Sequence, residues 1–350
     1  MIKKKLRPMI IYLFQQSIVK HFFSFFSRGC KVLYHHGVEK EILNSQIQNV
    51  HWSFQDFEKH IINLKNFYNI ISLDELVYCI DNNLKIDKKS LVLTFDDGYK
   101  NNVDTVLPFL KSESIPFSVF ICTKNINNGE RFPMYLLAAS IFDNNVKNLK
   151  ISVLNREFSI FSDNDKYSTY QFLRATMLEV SQNNLEKILI DIKNSMPIDR
   201  WKEINYKYSS DEPMDWDDVK TLHKNNVIIG SHGHEHFIFN KRQNTDSVRK
   251  QFMKSKNLIE KHIHNCKYFC YPNGSFADIS KESYTISKEY FDCCLTTYKS
   301  ELPNNPDKYL LPRLQPRQNI RYDNFKMSTA FLKNKYFNKA YNNFISSLNH

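Results

Sequence analysis

Short β-rich runs alternate with amphipathic helical segments along most of this 350-residue chain: residues 31–36, 91–95, 115–123, 227–232, 267–272 and 292–297 read as strands. That alternation leaves few folds open. Strands separated by a helical crossover run parallel, and a parallel sheet needs helices over its faces. The helical segments are read from apolar spacing. In 54–67, Phe54, Phe57, Ile61, Leu64 and Phe67 recur at three- and four-residue steps of one helix face. Segments 103–113, 217–226 and 246–264 repeat the pattern. The strand count fits a closed α/β barrel, and such barrels carry their chemistry at the C-terminal ends of the strands.

Two strand ends hold the residues that matter. Leu91-Val92-Leu93 runs into Thr94-Phe95-Asp96-Asp97-Gly98, and Val227-Ile228-Ile229-Gly230 runs into Ser231-His232-Gly233-His234-Glu235-His236. Alone, Asp-Asp-Gly after a strand is an ordinary turn, and a single histidine is an ordinary surface residue. Three histidines in five positions at a strand end, taken with the paired carboxylates, point instead to a hydrolytic metal site. Asp97, His232 and His236 would supply one oxygen and two nitrogens, with a position left open for water. Both carboxylates can reach one site only if the backbone turns, which Gly98 permits. Asp96 is then placed as the base that takes a proton from water. The donor set suits zinc, and also cobalt, nickel or iron. A rival cluster, His262, His264, Cys266 and Cys270, mixes zinc-type ligands, but its spacing lacks the paired Cys-x-x-Cys of structural zinc sites.

This joint pattern resembles the polysaccharide deacetylase family, carbohydrate esterase family 4, with its nodulation-protein-B-like domain. The resemblance covers roughly residues 31–320. It implies a distorted (β/α)7 barrel, with Asp96 as base and Asp97, His232 and His236 as metal ligands. His234 has no ligand counterpart. Where the family usually reads Arg-x-Pro-Tyr-Gly, this chain has Phe269-Cys270-Tyr271-Pro272-Asn273-Gly274, which looks like the branch acting on bacterial surface and biofilm polysaccharides. Tyr34-His35-His36-Gly37 and Leu311-Pro312-Arg313-Leu314 are similar to two further segments of that branch. By the same resemblance, the backbone N–H of Asn273 would hold the oxyanion. Arg313 would orient Asp96 through a charge-assisted hydrogen bond, or equally be a surface arginine. The family's late Leu-x-His acid is missing, since only His350 follows His264. The acid is therefore placed at His35, with His36 as the other candidate and a structural histidine pair as the bland alternative. Tyr271, Trp216 and Phe276 are either groove-lining aromatics or core.

The expected activity is removal of N-acetyl groups from amino sugars of a surface polysaccharide or its lipid-linked precursor. Rival readings are a non-catalytic sugar-binding member of the fold, an O-acetyl esterase and a membrane- or polyanion-binding protein. A net charge of +11 suits an anionic polymer, a phosphate-bearing lipid or a membrane surface, while no nucleic-acid motif is present. Seven cysteines, an odd number without a regular framework, argue for a reducing, cytoplasmic setting. Residues 1–30 form an N-terminal helical extension with Lys3, Lys4, Lys5 and a Phe-rich stretch, either a peripheral contact with the inner membrane face or a helix packed on the barrel. Residues 125–213 read as a mostly helical insertion, with helix-like apolar spacing over 170–196, and 321–350 as a C-terminal helical tail.

Overall fold

The computed structural model describes residues 29–143, 146–316 and 334–348. The chain opens with β1 (Lys31–His35), β2 (Gly37–Glu39), β3 (His51–Ser53), α1 (Phe54–Lys65), β4 (Asn69–Ile70), α2 (Leu73–Asp81) and β5 (Ser90–Phe95). Next come a single π-type turn over Asn102–Val106, α3 (Leu107–Ser112) and β6 (Ser118–Ile121). An inserted stretch holds α4 (Thr123–Asn128), α5 (Pro133–Phe142), β7 (Asn148–Ile151), β8 (Arg156–Ser159), α6 (Asp163–Glu179), α7 (Gln182–Asn194) and α8 (Ile198–Lys207). The barrel then resumes with α9 (Trp216–Lys224), β9 (Ile228–Ser231), α10 (Thr245–Ile263), β10 (Tyr268–Cys270), α11 (Lys281–Tyr290) and β11 (Cys293–Leu295), and α12 (Asn334–Leu348) lies in the tail.

Seven strands form one parallel sheet in the order β1-β5-β6-β9-β10-β11, with β4 paired to the start of β5, while β2 and β3 pair separately in parallel. Its two ends are joined by residues 311–314. Leu311 N–H donates to the Cys294 carbonyl and Leu314 N–H to the Val32 carbonyl, with bridges from Leu311 to Leu295 and from Leu314 to Leu33. The sheet thus curls into the barrel expected from the alternation, closed by a four-residue strap that makes one bridge to each end strand instead of by a full strand.

Alternation along the strands sorts their side chains into two cores. Leu33, Leu91, Leu93, Phe95, Val119, Ile121, Ile229, Phe269 and Cys294 face the surrounding helices, where they meet Phe57 and Ile61 of α1 and Phe252 of α10. The intervening residues Val32, Val92, Phe120, Tyr268, Cys270, Cys293, Leu295 and Leu311 pack together inside, against Leu73, Leu76 and Val77 of α2. Burial on both faces is why these strands read as unbroken apolar runs. One step beyond Val32 and Val92, the same inward face continues as Tyr34, Thr94 and Asp96, so the interior turns polar toward the C-terminal ends of the strands.

Gly230 is held small by this interior. A Cβ there would lie 2.5 Å from the Phe120 ring and 2.9 Å from the Tyr268 carbonyl oxygen. Gly230→Ala is expected to destabilise the fold by about 1–3 kcal/mol, the usual range for overpacking. Urea unfolding checks this, and an unchanged midpoint would contradict it.

The inserted stretch has its own hydrophobic cluster, with Leu137 of α5, Leu149 and Phe158 of the β7–β8 hairpin, Leu173 of α6, Ile188 of α7 and Ile204 of α8. Ile47, from the loop between β2 and β3, joins it. The single helical stretch read over 170–196 resolves into α6 and α7, with Val180 as the extended C-cap and Ser181 as the next N-cap. α6 starts earlier than its apolar spacing indicates, because Ser162 and Asp165 form a reciprocal capping box. The antiparallel hairpin is an addition to the helical reading. In the tail, α12 docks through buried Phe344, stacked on Phe276 at 5.4 Å. The N-terminal extension read over 1–30 lies almost wholly outside the described residues. Among the described residues, no helix is long and apolar enough to cross a membrane.

Candidate active site

Asp96 and Asp97 follow β5 directly, and strict alternation would send them to opposite sides. The backbone prevents this by entering the left-handed region at Asp97 (φ 75°) and Gly98 (φ 84°). A non-glycine residue in that region carries strain of roughly 1–3 kcal/mol, which is tolerated where function fixes the geometry. The loop after β9 uses the same device at Gly233 (φ 83°) and His236 (φ 52°). Asp97 Oδ1 ends 3.5 Å from Nε2 of His232 and 3.5 Å from Nε2 of His236.

The local chemistry fits a cation. His232 Nδ1 donates to the Cys270 carbonyl at 2.7 Å, which leaves Nε2 as the lone-pair nitrogen facing Asp97. Burial lowers the pKa of His232 to about 3 and that of His236 to about 4, so both rings are neutral. Burial raises Asp97 to about 6, with His36 opposing the rise and Asp96 adding to it. Asp97 Oδ1 is buried without a hydrogen-bond partner among the described residues. An orphaned carboxylate oxygen and two neutral acceptor nitrogens, all within 4.8 Å of one another, form a donor set suited to zinc or a similar divalent ion.

Asp96 is held differently. Arg313 comes from the strap that closes the barrel and grips it with both ends of the guanidinium, Nη1 to Oδ1 at 2.8 Å and Nη2 to Oδ2 at 2.7 Å. Its remaining donors reach the Thr296 carbonyl at 2.9 Å and the Thr94 hydroxyl at 3.0 Å, and the Tyr34 ring lies 4.5 Å from the guanidinium. Burial alone would push Asp96 up; Arg313 outweighs it and holds the carboxyl well below the usual carboxylate range. Asp96 is therefore an oriented anion. A second cluster, Asp96, His232 and Cys270, also brings ligand-type atoms together. It is a poor metal site, because both oxygens of Asp96 are taken by Arg313 and burial keeps the Cys270 thiol protonated.

Asp96, Asp97, His232 and His236 open into one cavity of about 240 Å³. Tyr34, His36, Asn273 and Thr297 line it from the barrel, and Phe132, Met134, Tyr135, Tyr170 and Arg174 from the inserted stretch. A family model described as polysaccharide deacetylase matches residues 83–155 and 168–288, more than half of the chain and both loops of the site. The chain belongs to the polysaccharide deacetylase family. Solved structures of similar fold include the Streptococcus pyogenes deacetylase PplD, described in complex with acetate (TM-score 0.56, 13% identity, 86% of this chain and 98% of that one). IcaB from Ammonifex degensii is similar to the same degree (TM-score 0.55, 13% identity, 86% and 97%). No curated protein matches the chain in sequence.

Within this deacetylase, Asn273 sits at the cavity in left-handed backbone (φ 58°), its carbonyl accepting from the Thr297 hydroxyl. His35 does not reach the site, and the placement of the acid there needs correction. It points to the helix side of β1, against Trp52, Phe57, His60 and Phe95. The next residue, His36, is the one that lines the cavity. The register shows why: Tyr34 pairs with Thr94 and His35 with Phe95, so His36 continues the inward row with Asp96. Tyr271, Trp216 and Phe276 are packing residues: Tyr271 is in the core, Trp216 stacks on His262 at 3.9 Å, and Phe276 stacks on Tyr298. That stacking, with His264 exposed at the end of α10 and Cys270 inside the barrel, also disperses the rival zinc cluster.

Other cavity residues carried no local signal. Asp211 is buried beside the site, its Oδ1 accepting from His51 Nε2 at 3.0 Å and its Oδ2 from the Ser210 hydroxyl at 3.2 Å. His51 takes a hydrogen bond from Asn101 Nδ2 at 3.4 Å, so its Nδ1 is the acceptor and Nε2 carries the proton. Only Tyr99, which follows the Asp-Asp-Gly turn and also lines the cavity, was within reach of a motif reading.

His35 and His60 are buried with neither ring nitrogen hydrogen-bonded among the described residues. Burial lowers His60 from 6.5 to about 4, and His35 well below 6.5. Above pH 6.5 these rings are neutral in both folded and unfolded chains. Between 6.5 and 4 the unfolded chain protonates His60 while the folded chain refuses the proton, so stability falls as pH falls, by up to about 1.4 kcal/mol per pH unit for that ring, and His35 acts in the same direction. Unfolding midpoints across this range should therefore slope less steeply in His60→Phe than in the native chain, and parallel slopes would disprove the assignment.

Proposed function

We propose that this family member is a metal-dependent deacetylase that removes N-acetyl groups from amino sugars of a surface polysaccharide or its lipid-linked precursor. The observation that carries the reading is the convergence of Asp97, His232 and His236 beside an arginine-held Asp96 in one open cavity. Asp97, His232 and His236 would hold the cation, zinc by default, whose chemistry when bound is Lewis-acid polarisation of the scissile carbonyl and acidification of a water.

The chain's own residues do the rest. Asp96 accepts the proton of the attacking water, and Arg313 keeps that carboxylate ionised and unable to rotate. The Asn273 amide has no acceptor among the described residues, and its left-handed backbone sets it at the cavity to donate to the oxyanion. His36, which lines the cavity, delivers a proton to the departing nitrogen; burial lowers its pKa against the pull of Asp97 and Asp96, so it takes up that proton during the reaction cycle before giving it. Water thus adds to the carbonyl carbon, the C–N bond breaks, and acetate and a free amine leave. Acetate, with which the similarly folded PplD is described in complex, is the product this reading expects. Seven unpaired cysteines support a reducing, cytoplasmic setting, at the inner membrane face if the substrate is lipid-linked.

The test is acetate release from N-acetylglucosamine oligomers and from capsule-type fragments, before and after chelation and with zinc restored. Release that stops with chelator and returns with zinc is the expected result. Release from O-acetyl esters alone would convert the protein to an esterase, and binding without any release would make it a sugar-binding member of the fold.

A further inference from the structure

The cavity floor is acidic. Asp96, Asp97 and Asp211 all line it, and the Arg313 charge is spent on Asp96. With Asp96 answered by Arg313 and Asp97 by the proposed divalent cation, an anionic group elsewhere on the substrate still needs a cation of its own. Arg174 is that cation.

Seven arginines fall within the described residues, and six have partners. Arg131 donates to the Asn205 carbonyl, Arg156 lies over Phe158 and Phe172, Arg200 pairs with Asp143, Arg242 with Glu179, Arg249 with Glu289 and Arg313 with Asp96. Arg174 has none among the described residues, although it lines the cavity. Its base is nonetheless fixed. Tyr170, Leu173 and Met177 bury one face of α6 in the insertion core, and Tyr170, one turn before Arg174, accepts a hydrogen bond from Asn49 Nδ2 at 3.3 Å. An exposed guanidinium lining the cavity from an anchored helix turn, with no protein partner among the described residues, is available to a ligand. Its planar fork matches a carboxylate or a phosphate with two parallel hydrogen bonds.

We propose that Arg174 makes the cavity selective for acetylated sugars that carry an anionic group, carboxylate or phosphate, next to the acetamide. The proposal rests on the deacetylase reading for its substrate class, but its test does not require turnover. Calorimetric titration of the full chain with three N-acetylated disaccharides, one neutral, one with a neighbouring uronate and one phosphorylated, gives the affinities directly. The expected result is about tenfold tighter binding of at least one charged form over the neutral one, as for a charge-assisted hydrogen bond. The form that gains more identifies the group. Arg174→Gln should erase the preference and Arg174→Lys keep part of it, since Lys retains charge without the fork. Lys241→Gln removes the same charge from an exposed site outside the cavity and should keep the preference whole.

Equal affinity of the native chain for all three sugars would overturn the proposal, as would a preference that survives Arg174→Gln or disappears equally in Lys241→Gln. If acetate is never released yet the preference depends on Arg174, the catalytic reading fails and the selectivity stands. If acetate is released with no preference, the reverse holds.

Discussion

Asp96→Asn is expected to retain the cation and lose acetate release by about a hundredfold to ten-thousandfold, the range that a positioned general base contributes. The two halves of that expectation come from different contacts. Asp97, His232 and His236 are the proposed ligand set, and their placement does not rest on the charge of Asp96: His232 is fixed by the Cys270 carbonyl and Asp97 by its own turn. Asparagine is close in size to aspartate and can still accept from Arg313 through its side-chain oxygen, but it cannot take a proton from water. Metal content by elemental analysis, read beside the rate of acetate release, separates base from ligand. Near-native turnover would remove Asp96 from the chemistry, and loss of metal would move it into the ligand set.

Arg313→Ala should produce the largest loss of stability of any single change at the site. Removing one partner from a buried ion pair leaves the other charge uncompensated, at a cost of about 3–5 kcal/mol. Asp96 is 2% exposed and Arg313 0%, so water does not screen the charge left behind. The change also strips donors from the Thr296 carbonyl and the Thr94 hydroxyl, next to the strap that closes the barrel. If the charge is the cause, adding Asp96→Asn to Arg313→Ala should recover part of the loss, because neutral Asn is far cheaper to bury unpaired. Urea unfolding of the native chain, both single variants and the double variant measures the coupling. Strictly additive losses would show that Arg313 acts through packing alone.

Much of this protein could be read from local pattern. Period-two and period-3.6 spacing are properties of contiguous residues, so strands β1, β5, β6, β9, β10 and β11 and helices α1, α9 and α10 emerged within a few residues of their ends. Where the local rule changed, boundaries moved. Val106 and Leu107 sit at a junction where the backbone shifts from π to α winding, dividing the helix read over 103–113. The β7–β8 hairpin carries its own signal in Leu149 and Ile151, buried on alternate positions, but it is short and flanked by helical spacing. Short helices such as α5, apolar on nearly every side because both faces are covered, have no periodicity to read.

The convergence of Asp97, His232 and His236 beside Asp96 was legible because turn chemistry and ligand type are both local. A strand end, a glycine, paired carboxylates and histidines four apart state their chemistry wherever they fold. What the tertiary structure decided was which side chains those groups meet. His35 and His36 are equal candidates in the sequence, and only the register between β1 and β5 turns one into the aromatic core and the other into the cavity. Arg313 lies 217 residues from Asp96, and nothing near it in the chain specifies that the strap will lay its inward face over that carboxylate. Arg174 and Tyr170 belong to a helix whose spacing reports only its own core, and their place in the cavity lining follows from how the inserted stretch packs beside the loop that carries Ile47. Local identity selected the chemistry, because donors and turns act over a few bonds; long-range register chose the partners, because a one-residue shift along a strand sends every side chain to the opposite face.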